Sequence, residues 1–194
     1  MSHTNRQHLR KHFKAARAAL SATAQHQAAT ALCQQLQSSK IIQHARTVSV
    51  YLAHRGEINL TPFITWCWQQ KKMTALPVLH PFSQGYLLFQ GYSPMTQMTK
   101  NRFHIEEPAL ACNTLVTLAE LDVILMPLVA FDQHKNRLGM GGGFYDRTLA
   151  AIRDKNKKAI FIGVAHECQY YDNTLPAEPW DIPLDYVVTP EQII

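Results

Sequence analysis

LDVILMPLVAFDQHKNRLGMGGGFYDR, residues 121–147, is the stretch around which the chain is organised. Residues 123–126 are a short apolar run stopped at Pro127, the pattern of a buried strand that ends where proline removes a ladder donor. Asp132, Gln133, His134 and Asn136 are turn formers. Glycine then fills four of the five positions 139–143, and helical apolar spacing runs on to residue 153. A strand, a glycine loop and a helix in that order leave backbone amides free to face an anion beside the positive end of a helix dipole. Arg137 and Arg147 bracket the loop with guanidinium groups suited to phosphate, and Asp146 puts a carboxylate where a magnesium ion or its waters can sit. No Gly-Lys-Ser or Gly-Lys-Thr ends the loop, and Phe144 stands where the dinucleotide fingerprint needs its last glycine. The loop therefore signals phosphate without saying which; close packing of a helix on a sheet is the plainer use of such glycines.

On the N-terminal side, residues 4–20 predict a helix. Leu9, Phe13, Ala16 and Leu20 recur at three- and four-residue spacing, with Arg6, Arg10, Lys14 and Arg17 along an adjoining face that would ordinarily be solvated. Ser21 is a cap for a second helix ending near Lys40. Residues 48–52 read as a strand, and Glu57 follows its carboxyl end, where ligands bind in open α/β sheets. An ordinary surface glutamate ahead of a 61–71 helix, capped by Asn59 or Thr61 and started by Pro62, is the alternative. Strands are predicted at 74–78, stopped by Pro77, and at 86–89, joined by a turn. Residues 91–108 form a long irregular stretch of the kind that tends to be functional. There Tyr92 and Phe103 either stack on a ligand or tack the loop to the core. Beyond the glycine loop, residues 159–164 are a buried strand closing on His166 and Gln169. His166 is read as a satisfied structural histidine. Residues 186–188 supply a last short strand. Strands alternating with helices, without repeats or linkers, predict one Rossmann-like three-layer α/β/α domain over residues 1–194 with a mainly parallel sheet.

Composition is ordinary for a globular protein, with 46% hydrophobic and 17% charged residues. No apolar run is long enough to span a bilayer, and residues 1–17 are polar and basic, so a cytoplasmic location away from membranes is expected. Cys33, Cys67, Cys112 and Cys168 form no Cys-x-x-Cys pair and read as buried free thiols. Charge is uneven: eight of the 19 basic residues and none of the 14 acidic ones precede Glu57. That polarity attracts polyanions, whether nucleotide, polyglutamylated ligand or nucleic acid.

RLGMGGGFYDR at 137–147, preceded by Pro-x-x-Ala-Phe-Asp at 127–132, resembles the signature of the 5-formyltetrahydrofolate cyclo-ligase family. The family pattern is close to RLGYGGGYYDR, so Met140 and Phe144 replace two tyrosines. The resemblance covers essentially the whole chain: a basic N-terminal helix, Gly56-Glu57-Ile58, Glu107-Pro108, Gln169, and Asp181, Pro183 and Asp185 followed by Val188-Thr189 come in the family's order.

The resemblance implies an ATP- and magnesium-dependent enzyme making 5,10-methenyltetrahydrofolate from 5-formyltetrahydrofolate, with release of ADP and phosphate. It implies nucleotide contacts at Arg6, Arg10, Arg137, Gly139, Gly141, Gly142, Gly143, Tyr145 and Asp146, with magnesium near Asp146. Leu52 and Glu57 match folate-contacting positions, Tyr92 and Phe103 are assigned to the wall holding the pterin ring, and Arg137, Tyr145 and Glu57 are the expected catalytic group. Arg147 either holds phosphate or pairs with a carboxylate. Loss of Arg137 is expected to cost catalysis rather than folding. The expected partners are the small-molecule substrates of a monomer, with neither nucleic acid nor membrane. A nucleic-acid module would explain the basic N-terminus but not the glycine loop. A sugar-phosphate or coenzyme A enzyme would leave Glu57 unexplained. A ligand-binding relative without turnover is the third reading, given the two missing phenols.

Overall fold

A computed structural model describes residues 2–153 and 159–194. Its elements run α1 (Ser2–Ala18), α2 (Ala22–Ser38), α3 (Lys40–His44), β1 (Thr47–Ser49), α4 (Thr61–Gln69), β2 (Met73–Leu79) and β3 (Leu87–Tyr92). After them come β4 (Met98–Lys100), β5 (Glu106–Pro108), β6 (Leu115–Val116), β7 (Val123–Pro127), β8 (Ala130–Phe131) and β9 (Arg137–Leu138). The chain finishes with α5 (Phe144–Arg153), β10 (Ile160–Val164) and β11 (Tyr186–Val188).

Seven strands form one sheet in the order β11-β10-β7-β1-β2-β3-β6. The five from β11 to β2 are parallel; β3 and β6 extend it antiparallel. Strand alternation splits the core between two faces. Val123 and Leu125 of β7 pack with Leu32 and Leu36 of α2 and Phe63 and Ile64 of α4. Ile124 and Met126 pack the other way, with Leu149 of α5, Ile182 and Leu184. The helix–sheet–helix layering and mainly parallel sheet agree with the alternating sequence pattern. A third cluster joins Leu9 and Phe13 of α1 to Val129, Ala130 and Leu138. The first helix therefore lies across the β8–β9 hairpin, beyond the carboxyl end of β7, and its basic residues come to the end of the sheet where ligands bind.

Several local expectations are corrected. The second helix stops at Ser38, although Ser21 does cap its start by accepting from the Ala24 amide at 3.1 Å. A short α3 then turns the chain into the sheet. Pro77 does not end β2. His80 donates to Tyr86 O, so even-numbered residues of β2 bond to β3, and Pro77 faces the β1 side, where the pairing register ends at Ser49 and Ala75. A proline costs no ladder bond there. Residues 91–108 are not irregular: β3 runs to Tyr92, and β4 and β5 make a small hairpin. Of the four thiols only Cys33 and Cys67 are buried; Cys112 is exposed and Cys168 half-buried. Among the described residues no helix is long and apolar enough to cross a membrane.

Candidate active site

The glycine loop is held open by its neighbours. Asp132, fully buried, accepts the amides of His134 and Asn136 at 2.9 and 3.0 Å through Oδ1 and that of Leu175 at 2.8 Å through Oδ2. This fixes the β8–β9 turn and so delivers Arg137 inward. Arg137 Nη2 bonds Asp146 Oδ1 at 2.5 Å, the Ile182 amide reaches the same oxygen at 3.1 Å, and the guanidinium lies 5.9 Å from the Tyr145 ring centre. Arg10 Nε donates to Gly139 O at 2.9 Å, and Arg6 pairs with Asp181 at 2.7 Å. Arg147 clamps the loop from outside, donating to Gly85 O at 3.0 Å and to Gly142 O, and pairs with no carboxylate among the described residues. Gly141 has φ +103°, a left-handed conformation that L side chains rarely adopt.

Arg6, Arg10, Arg137, Asp146, Arg147 and Asp181 line a cavity of about 890 Å³ that also takes in Trp180 and Glu178. Burial, then the neighbouring Arg6, pushes the Arg10 guanidinium down from its ordinary value, with Asp181 opposing. A second cavity of about 620 Å³ adjoins it, with Tyr51, Leu52, Glu57, Phe103, Phe144 and Tyr145 among its walls. The two share Arg137, Gly139, Gly143 and Asp146.

The second cavity is mostly apolar, with Glu57, Glu107 and the shared Asp146 as half-buried carboxylates in its lining. Glu57 accepts the His54 amide at 3.0 Å, and its Oε1 lies 4.0 Å from Arg17 Nη1. Burial raises its carboxyl above the ordinary range, opposed by the His54 amide and Arg17. The Tyr145 hydroxyl is enclosed without a hydrogen-bond partner, and burial, then Glu57, pushes it well up. Glu107 accepts from the Leu79 amide and Asn101 Nδ2, tying the β4–β5 hairpin over the cavity. At its tip Phe103 meets Phe144 edge-on at 6.0 Å. Phe144 thus keeps an aromatic wall at a position where the resembled pattern has tyrosine, while Met140 is 42% exposed on the rim.

Arg6, Arg10, Arg137, Gly139, Gly141, Gly143 and Asp146 come together on the first cavity; Leu52, Glu57, Phe103, Gly142 and Tyr145 come together on the second. Tyr92 does not join them. Its ring sits 5.4 Å from that of Trp68, whose Nε1 donates to Tyr92 O, so here the aromatic tacks β3 to α4. His166 is enclosed, donates to Gly56 O at 3.3 Å, and is pushed down to about 4 by burial. Gln169 Nε2 donates to Leu128 O and Val129 O, bracing the end of β7. Asp181 and Trp180 on the first cavity, and Arg17 behind Glu57, are residues that the sequence pattern does not single out for the site. Asp181 belongs to the C-terminal motif; Arg17 looks in sequence like one more solvated charge in a row.

The model of the 5-formyltetrahydrofolate cyclo-ligase family matches residues 2–190. The chain belongs to that family. A 5-formyltetrahydrofolate cyclo-ligase of Haemophilus influenzae is 45% identical over 184 residues, covering 95% of this chain and 97% of that one. The cyclo-ligase of Escherichia coli is 48% identical over 149 residues, covering 77% and 80%. An NMR structure of Aquifex aeolicus 5,10-methenyltetrahydrofolate synthetase superposes with a TM-score of 0.81 at 29% identity, covering 97% of this chain and 91% of that one.

Proposed function

We propose that this family member is an ATP- and magnesium-dependent 5-formyltetrahydrofolate cyclo-ligase, converting 5-formyltetrahydrofolate to 5,10-methenyltetrahydrofolate with release of ADP and phosphate. The observation that carries the reading is the pair of cavities joined at Arg137 and Asp146, one lined by guanidinium groups and the other mostly apolar with Glu57 on its wall. A triphosphate suits the first and a reduced pterin suits the second. Their junction is where a phosphoryl group would pass between them.

A formamide carbonyl is a poor electrophile, so its oxygen must become a leaving group. The formyl oxygen attacks the terminal phosphorus of ATP, ADP departs, and an imidoyl phosphate results. The nitrogen at position 10 of the same substrate then bonds to the formyl carbon, loses its proton and expels phosphate as the ring closes. Such a sequence needs positioning and charge neutralisation more than covalent help from the protein. Arg6 and Arg10 hold phosphate oxygens, Arg137 faces the transferring group from the junction, and the amides of 139–143 turn toward the anion. Glu57 accepts hydrogen bonds from the pterin, and Phe103, Phe144 and Leu52 cover its ring. The enclosed Tyr145 hydroxyl is free to bond a group the substrates bring.

Magnesium fits this donor set as a nucleotide-borne ion. No cluster of three or more metal-ligating side chains exists among the described residues, whereas Asp146 and Asp181 line the same cavity. Magnesium is commonly held by one or two carboxylates together with substrate phosphates. When bound it would neutralise charge on the terminal phosphates.

The test is ultraviolet absorbance of purified protein with 5-formyltetrahydrofolate, magnesium and ATP. Growth of the methenyl chromophore only in the complete mixture supports turnover. Tight binding without growth would replace the reading with a non-catalytic relative, and neither binding nor growth would overturn it.

A further inference from the structure

Helix α1 brings three guanidinium groups to this end of the sheet, and one of them behaves differently. Arg6 and Arg10 reach the cation-lined cavity. Arg17, about 10 Å further along the helix axis than Arg10 at the usual rise per residue, is 1% exposed and contacts Arg55 and Glu57, which line the apolar cavity. Its Nη2 donates to Arg55 O at 2.9 Å and its Nη1 to Leu128 O at 3.3 Å. Among the described residues the one carboxylate within 4.0 Å of it is Glu57. A guanidinium this enclosed loses nearly all its hydration, and two carbonyl dipoles do not cancel a full charge. Its Nε has no partner.

The segment that presents Glu57 is itself contorted. Arg55 and Gly56 are consecutive left-handed residues, with φ of 50° and 80°. Gln25 Nε2 donates to Gly56 O at 3.2 Å, and His166 bonds the same carbonyl. Those two grip backbone alone. Arg17 grips the backbone, through Arg55 O, and also faces the carboxylate.

We propose that Arg17 is a positioning residue for folate binding: it locks the 54–57 turn and holds Glu57 charged and aimed into the apolar cavity, where Glu57 accepts from the N–H groups of a reduced pterin. This rests on the proposed function in taking Glu57 as the pterin contact. The charged or titratable groups that act on Glu57 are Arg17, Tyr51 and Tyr145, with Arg55 and His54 beside it in the turn and His166 on the Gly56 carbonyl, and Arg17 supplies the cationic charge within ion-pair distance. Without it, protonation of Glu57 moves to higher pH, and pterin binding fails earlier as the solution is acidified.

The experiment is calorimetry of 5-formyltetrahydrofolate binding, with and without ATP, to wild type, Arg17→Met, Arg17→Lys and Gln25→Ala across pH 5 to 8, with thermal melts alongside. Arg17→Met is expected to weaken folate binding roughly tenfold, the scale of one charge-assisted contact, and to shift the acid limb of binding upward while ATP affinity is kept. Arg17→Lys should bring the limb back toward wild type, because charge is restored without the fork. Gln25→Ala loosens the same turn and should leave the limb in place. Equal loss of folate and ATP affinity, a limb that does not move, Gln25→Ala moving it as far, or failure of both Arg17 variants to fold would each overturn the proposal in favour of a merely structural arginine. Absence of folate binding by wild type would instead overturn the proposed function.

Discussion

The two cavities share four residues and differ in almost everything else. Nearly half of the cation-lined cavity comes from one contiguous loop and the helix it opens, with Arg6 and Arg10 added from α1 and residues 178–182 from the far end of the chain. The apolar cavity draws on separate segments: the end of β1, the 54–57 turn, β2, the β4–β5 hairpin and the glycine loop. The first is built around arginines, each already bonded to a carbonyl or carboxylate. The second has mostly apolar walls, with Glu57 backed by the buried Arg17, where every pairing weighs more. A local loop fails locally. A site assembled by the fold depends on distant contacts, and substitutions should separate the two.

The largest effect is expected at the junction. Arg137→Ala removes a group common to both cavities, and turnover of 5-formyltetrahydrofolate should fall by about 10²–10³-fold, the scale of losing one preorganised donor. The side chains of Arg137 and Asp146 are only 4% and 17% exposed, so removing the arginine also strands the carboxylate. Breaking such a pair costs on the order of 3 kcal/mol. A lowered midpoint in urea denaturation is therefore expected together with the loss of rate, contrary to the expectation from sequence that folding would be spared. An unchanged midpoint would mean that Asp146 finds another partner or water.

Acid should loosen the apolar side first. His166 is held near 4 in the folded protein against an ordinary value near 6.5, so its contribution to stability is present above about 6.5 and lost as pH falls toward 4. A difference of that size between the folded and unfolded chain contributes at most about 3 kcal/mol. Glu57, raised rather than lowered, titrates in the opposite sense and offsets part of it. Comparing wild type with His166→Gln isolates the histidine: the variant should lose less stability between pH 6.5 and 4. Parallel stability curves for the two proteins would show that His166 does not titrate as its burial demands.

A smaller effect falls on the cation-lined side alone. Gly141→Ala places a Cβ at φ +103° and within 3.6 Å of the Arg10 guanidinium carbon. The strain, on the order of 1 to 3 kcal/mol, should raise KM for ATP about tenfold at most and leave KM for 5-formyltetrahydrofolate unchanged. Equal rises in both would mean that the cavities cannot be perturbed separately.

The same contrast explains what the chain discloses without its fold. Four glycines between two arginines are neighbours in sequence, and so is the strand before them, so the loop, β7 and α5 are legible. Arg17 is not, because its 1% exposure comes from β7 and the 54–57 turn closing over it, partners 38 to 111 residues away. Tyr92 and Phe103 bracket the same 91–108 stretch and carry equivalent aromatic signals. Only the pairing of β3 with β2 and the hairpin of β4 with β5 send one ring to Trp68 and the other over the cavity. Pro77 reads as a strand stop only while its register is unknown; which edge a proline faces is a property of the sheet.

The smallest expected change in stability tests the junction most finely. Tyr145 hydroxyl is enclosed with no partner, a state that disfavours folding unless something else requires the group. Tyr145→Phe removes the oxygen while keeping the ring near Arg137, so the urea midpoint should stay within about 0.5 kcal/mol of wild type or rise slightly. Turnover decides what the oxygen is for. A kcat lowered several-fold with both KM values unchanged would place the hydroxyl on the group in transit between the cavities. A raised folate KM at constant kcat would place it on the bound pterin, beside Glu57. Loss of stability would show that the hydroxyl is bonded within the folded protein, and its apparent isolation would then carry no mechanistic meaning.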